Sequence, residues 1–367
     1  MKKTLLSCLG FLFCSLAFAQ EYDFRKPQNY GNWKKVALGN PDDFYKTEEA
    51  KRIADNVLLY QLTTGGWPKN IFMAKELTAE EKAKVISQKG DVDEGTIDNN
   101  ATTTEIQFLA KVYREHKDPR YARAALDGID YLLEAQYDNG GWPQCYPRTK
   151  GYVTQIQYND NSNVNVLKFV RDIYEDRDLY SFVPEDKVER LKTAFDKGID
   201  CILKTQVKQN GKLTVWCAQY DHITLQPAQA RAYELISLSG QESDNIVLLL
   251  MSLKNPSQEI IDAVEAAVEW FDKVKIENIT IEQFTNEEGQ KDRRIVSCND
   301  CPPTWARFYD IDDNRPFISD RDGIKRYELS DYSNISHERR NGYKWYNNDG
   351  LAVFKKYKKW EKEVKGK

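Results

Sequence analysis

Apolar residues recur at helical spacing in five stretches of the chain: 50–62, 103–113, 122–136, 164–174 and 188–206. In 103–113 the stripe is Ile106, Leu109, Ala110 and Tyr113, and in 164–174 it is Val166, Val170, Ile173 and Tyr174. Such spacing marks helices with one face turned to a core. A sixth helix is expected over 225–238. After Ile276 the period changes, and 279–284 and 293–298 flank Asn286-Glu-Glu-Gly289, which reads as a β-hairpin. Helical periodicity then returns only over 351–363.

The punctuation between these stretches repeats. Gln61-Leu-Thr-Thr-Gly65-Gly66-Trp67-Pro68 returns as Gln136-Tyr-Asp-Asn-Gly140-Gly141-Trp142-Pro143, and a weaker copy runs from Gln206 through Asn210-Gly211 to Trp216. Each copy closes a helical stretch, with glycine suited to the left-handed cap and proline blocking continuation. A second series keeps step. Asp98-Asn99-Asn100 precedes 103–113, Asp160-Asn161 precedes 164–174, and Asp221-His222 precedes 225–238. The unit is therefore helix, Gly-Trp loop, Asp-Asn loop, helix, three times over. Stacked units of this kind make a mainly α fold, an incomplete toroid with the loops gathered at one end. We expect a single domain over 20–367, with a β/loop appendage at about 276–348.

Lys2 and Lys3 precede an apolar run over 5–18 that ends at Ala17-Phe18-Ala19. This is the pattern of a secretory signal peptide cut after Ala19, and it implies a periplasmic or secreted protein. No other window approaches a membrane span. Over 367 residues, 53 Lys and Arg against 57 Asp and Glu leave no basic surplus for nucleic-acid binding. Three histidines leave little room for a histidine-built zinc centre. Five cysteines remain after the leader, so at least one thiol stays unpaired in a monomer. Cys298 and Cys301 are read as a local disulfide or as two plain thiols, not as a zinc site.

Three constellations carry candidate chemistry. Asp98, Asn99 and Asp160 present oxygen atoms from neighbouring loops, as a hard cation requires; as plain structure they are helix N-caps, and as paired acids they suit glycoside hydrolysis. Arg231 lies in Gln226–Glu234, near the start of the expected third repeat helix, where a surface ion pair is the ordinary role. Arg307 stands in Trp305-Ala-Arg307-Phe-Tyr309, followed by Arg315 and by Asp320-Arg321-Asp322-Gly323. Guanidinium groups beside aromatic rings suit bidentate capture of carboxylates. Together these features suggest a site for an anionic carbohydrate.

The stretch Thr96-Ile-Asp98-Asn-Asn-Ala-Thr102-Thr-Thr, the Gly-Gly-Trp-Pro loops, Gln226–Glu234, Trp305–Tyr309, Asp320–Gly323, Glu338-Arg339-Arg340 and Gly342-Tyr343 resemble family 10 polysaccharide lyases, which are pectate lyases. The resemblance runs from about Ala50 to Asn347. It implies an incomplete (α/α)3 toroid and calcium-assisted β-elimination on α-1,4-linked polygalacturonate, giving 4,5-unsaturated products. By motif it implies Asp98, Asn99 and Asp160 as the Ca2+ group and Arg231 as the base. Arg307 and Arg321 become uronate-binding residues, and Arg315 and Lys69 further substrate contacts. A monomer acting on pectate is expected. Two other readings are a toroidal glycoside hydrolase using Asp98 and Asp160, and a secreted glycan-binding protein stacking sugars on Trp67, Trp142 and Trp216.

Overall fold

The computed structural model describes residues 30–366, so the leader and its cleavage position lie outside the described residues. Eleven α-helices are formed among them: α1 (Tyr30–Leu38), α2 (Glu48–Tyr60), α3 (Ala79–Ser87), α4 (Thr103–His116), α5 (Pro119–Ala135), α6 (Ser162–Glu175), α7 (Glu185–Thr205), α8 (Glu242–Leu250), α9 (Gln258–Val274), α10 (His337–Gly342) and α11 (Gly350–Lys365). Helices α1, α4, α6, α8 and α11 stand side by side as an inner arc. Helices α2, α5, α7 and α9 back them as an outer one. The result is a mainly α, incomplete toroid whose core lies between the two arcs.

The helix starts follow local chemistry. Thr47, Asp118 and Ser257 cap α2, α5 and α9 through side-chain oxygens, and Pro119 occupies the first turn of α5, where its missing N–H costs nothing.

The Gly-Trp repeat is a clamp. Trp67, Trp142 and Trp216 are 0–1% exposed, and their indole N–H groups donate to the carbonyls of Val57, Leu132 and Ile202 at 2.7–2.8 Å. Rings so enclosed cannot be stacking platforms, which removes the basis of the glycan-binding reading. Trp305 repeats the bond to Phe271 O at 2.9 Å, a fourth copy that sequence spacing did not show. Gln61, Gln136 and Gln206 each donate twice. One bond goes to the adjoining turn or loop, and the other reaches Ala124, Ala194 or Ala263 on the next outer helix, at 2.8–2.9 Å. At Gly140 (φ 94°) a Cβ would stand 1.9 Å from Lys197 O, so only glycine lets the loop meet α7.

The expected helix over 225–238 does not form. Asp221 Oδ1 accepts the N–H groups of Ile223 and Thr224 in a tight turn, Leu225 is left-handed (φ 57°), and Pro227 bridges to Tyr220. The left-handed Leu225 and the pairing of Pro227 with Tyr220 hold this backbone out of the helical region and deny the stretch a first helical turn. The inner helix of the third repeat is α8, reached after an inserted loop. The β-hairpin expected after Ile276 is present as Ile279–Thr285 paired with Lys291–Ser297. It is docked to α10, where Asp292 receives Arg340 at 2.6 and 2.7 Å and Asn341 at 2.9 Å. Cys298 and Cys301 form a disulfide, while Cys145, Cys201 and Cys217 are buried free thiols.

Candidate functional site

The loops before α4, α6 and α8 gather at the N-terminal ends of the inner helices, where partial positive charge favours anions. Their common register is set by three tertiary bonds. Trp67 N donates to Thr102 Oγ1, Trp142 N to Asn163 Oδ1 and Trp216 N to Ser243 Oγ, at 2.8–3.1 Å. In that register Asp98 matches Asn159, and Asn99 matches Asp160. Backbone angles agree, with φ 53°, ψ 30° at Asn99 and φ 52°, ψ 27° at Asp160. The two aspartates therefore hold successive, not equivalent, positions. Neither caps a helix by a side-chain bond, so the N-cap role does not explain them.

The offset gives the carboxylates different surroundings. Asp98 is buried against Lys69, which pairs with it, and Gln144, whose Nε2 donates at 2.7 Å; Gln157 in turn donates to Gln144 at 3.1 Å. Burial alone would lower the Lys69 pKa, but the charge and the hydrogen bond of Asp98 together offset it and leave the amine raised. Asp160 is the open one, with 38% of its side chain exposed. Asn99 donates to Asn70 at 2.9 Å through Nδ2. Thr102 keeps a strained φ of 66°, held by the bond from Trp67 N and its own to Thr96 O.

Arg307 comes from the C-terminal layer. Its N–H donates to Trp345 O at 2.6 Å and its carbonyl accepts from Gly240 N at 3.0 Å. A Cβ at Gly240 would meet Ala306 O at 2.3 Å, so glycine permits the approach. The side chain is 3% exposed, and its Nη2 reaches Glu242 at 2.6 Å, Asn159 at 2.8 Å and Asp160 at 3.2 Å. Burial raises the Glu242 pKa against the opposing pull of Arg307. Burial pulls the Arg307 pKa down, yet Glu242, Tyr343 and Asp160 together outweigh it and the group stays firmly cationic.

Arg231 sits in the inserted loop, not on a helix. Its Nε donates to Glu234 Oε2 at 2.7 Å and its Nη2 pairs with Oε1. Glu234 also accepts from the Tyr343 hydroxyl at 3.0 Å, and the Tyr343 ring lies 4.1 Å from the Arg307 guanidinium. Asp160, Arg307, Tyr343, Glu234 and Arg231 thus form one continuous cluster. Arg321 joins at its rim: it pairs with Glu338 at 3.0 Å, Glu338 holds Arg339, and Arg339 and Arg231 lie over the Tyr233 ring at 4.1 and 4.9 Å. Arg315 stands apart, over Tyr327 at 4.2 Å and 3.5 Å from Glu328. Lys69 belongs to the Asp98 end.

Sequence reasoning missed Glu242 and Gln144. Glu242 was hidden because the insertion displaced the third repeat; Gln144, directly after the second Gly-Trp-Pro, offered a positional hint only.

Among the described residues no group of three or more His, Cys, Asp or Glu could hold a metal. Any cation site here rests on Asp98, Asp160 and amide oxygens.

A pectic acid lyase family model matches residues 61–354. The chain is similar to a solved family 10 polysaccharide lyase from Cellvibrio cellulosa, with 36% identity and a TM-score of 0.71 over 88% of this chain and 97% of that one. It is also similar to a mutant of a family 10 polysaccharide lyase from the same organism in complex with trigalacturonic acid (35% identity, TM-score 0.73, 90% and 96% covered). No curated protein sequence matches it. A model match across most of the chain, with this degree of identity, establishes that the chain belongs to the pectic acid lyases and is a family 10 polysaccharide lyase.

Proposed function

We propose that the protein is an exported, calcium-assisted pectate lyase that breaks α-1,4-linked polygalacturonate by β-elimination, with Arg231 as the base. The observation that carries this reading is the contact chain from Asp160 through Arg307, Tyr343 and Glu234 to Arg231. It joins a half-exposed guanidinium to an open carboxylate among helix N-termini.

Oxygen donors of the kind a hard cation takes support the calcium reading. Asp160 supplies an open carboxylate and Asn99 an amide oxygen with no hydrogen-bond partner among the described residues, while Asp98 adds a second carboxylate held by Lys69. Calcium bound there would cancel the uronate charge and acidify the ring proton beside it. The protein's own groups do the rest. Arg307 Nη2 is committed to Glu242 and the Asp160 loop, which leaves Nη1 to meet a uronate carboxylate. Arg231, engaged through Nε and Nη2, likewise keeps Nη1 free; once the guanidinium has given up a proton to solvent, Nη1 takes the C5 proton. The electrons of the broken C–H bond form the 4,5-double bond, the C4–O bond breaks, and the leaving oxygen takes a proton from solvent.

Arg231 starts protonated. Burial favours its neutral form, but Glu234 outweighs burial and raises its pKa. Activity should therefore climb into alkaline pH. The test is incubation with polygalacturonate while following the ultraviolet absorbance of unsaturated product. Chelation should abolish the signal and added calcium restore it, and Arg231→Ala should lower kcat by about a hundred- to ten-thousandfold. Cleavage products without a double bond would overturn the lyase reading in favour of a hydrolase.

A further inference from the structure

Beyond the Asp98 end of the site lies a loop to which no role has been assigned. Its base is fastened to the Asp98 loop: Ile97 N donates to Gln144 O at 3.1 Å, Tyr146 N to Gly95 O at 3.2 Å, and Thr96 and Cys145 form an antiparallel bridge. Cys145 N also donates to Val153 O at 3.2 Å, which closes the loop on itself. The segment between carries Arg148, Lys150 and Tyr152, all exposed. With Asp93 they line a cleft of about 360 Å3.

Most arginines of this protein are neutralised by a carboxylate, as at Arg52, Arg120, Arg231, Arg307 and Arg340. Arg148 and Lys150 are not: among the described residues neither has an ion-pair partner. Asp93, the one acid on the cleft wall, is not close enough to pair with them. The loop also shares the electrostatic field of the main site, since Tyr152 acts on Lys69, and Lys69 and Arg148 both act on the Cys145 thiol.

We infer that the Arg148–Lys150–Tyr152 loop is a further binding site for the polymer, taking uronate units that extend past the reacting bond on the Lys69 side. The inference rests on the pectate lyase reading. Two uncompensated cations match a chain with one carboxylate per sugar, the guanidinium can hold a carboxylate in two-point fashion, and the tyrosine ring offers a face to a sugar. Asp93 opposes this attraction and sets its strength.

The double variant Arg148→Ala/Lys150→Ala tests it. The altered side chains are exposed, so the melting temperature should stay at the wild-type value. KM for polygalacturonate should rise about three- to tenfold with kcat unchanged, and trigalacturonate kinetics should not move. Asp93→Asn should lower the polymer KM. Unchanged polymer KM, or an equal loss on the trimer, overturns the inference. Affinity electrophoresis through polygalacturonate reads the same site without turnover. Weaker retardation of the variant supports the site even where wild-type protein releases no unsaturated product, a result that would sink the lyase reading alone. Equal retardation of variant and wild type overturns the site.

Discussion

Glu234 holds Arg231 with both carboxylate oxygens, Oε2 accepting from Nε at 2.7 Å and from the backbone N–H at 3.1 Å while Oε1 pairs with Nη2. The same carboxylate positions the guanidinium and disfavours its neutral form, so the two effects separate in a pH profile. Glu234→Gln should lower kcat about tenfold through lost positioning. Because the stabilising charge is gone, the alkaline rise in activity should also begin at lower pH. A profile with the same midpoint and reduced height would show that Arg231 is not the titrating base.

Tyr343 connects the two arginines by different parts of its side chain. Tyr343→Phe keeps the ring over Arg307 and removes only the hydroxyl bond to Glu234. It should cost about 1.5–3 kcal/mol in stability, the usual range for a hydrogen bond to a charged group. Tyr343→Leu also removes the cation–π contact and should cost measurably more. Equal denaturation midpoints for the two variants would show that the ring contact contributes nothing.

Glu105 gives the fold a pH dependence unrelated to catalysis. It is fully buried on α4, accepts Trp33 Nε1 at 2.8 Å, and burial raises its pKa from 4.5 to about 7. Between those values the native state holds a proton that the unfolded chain has lost. Stability on this account is therefore greatest below about pH 4.5 and declines as pH rises to about 7. Glu105→Gln still accepts from Trp33 and should be more stable than wild type by about 3 kcal/mol near pH 8, with no difference near pH 4. Urea titrations at the two pH values measure it.

Gln136 should affect stability without affecting turnover. Gln136→Ala leaves the carbonyls of Gly140 and Ala194 without the donor that joins two outer helices. A loss of about 1–3 kcal/mol is expected, with kcat for folded protein unchanged. A fall in kcat that tracks no change in folded fraction would place the clamp within the catalytic machinery.

The helices were legible because a face that must be buried repeats every three to four residues, as at Ile106, Leu109, Ala110 and Tyr113. The Trp loops were legible as a repeat, but their purpose was not. Whether an indole faces a sugar or a helix carbonyl depends on what packs over it, and Val57, Leu132 and Ile202 proved to be the partners. The expected helix over 225–238 does not form because its apolar spacing is overridden by the left-handed Leu225 and the pairing of Pro227 with Tyr220. With the third repeat displaced, Glu242 at its true start could not be singled out.

What the chain alone determined is the set of periodic apolar faces, the glycine and proline positions that end them, and the supply of Asp, Asn and Arg in recurring loops, because these act over a few residues. Only the tertiary structure decided the register of the Asp98 and Asp160 loops, the burial of Arg307 on Glu242, and the pairing of Arg231 with Glu234 beneath Tyr343. Those depend on hydrogen bonds and ion pairs between residues far apart in sequence. Their formation depends on which groups the closed arc brings out of water together, and local pattern carries no record of that.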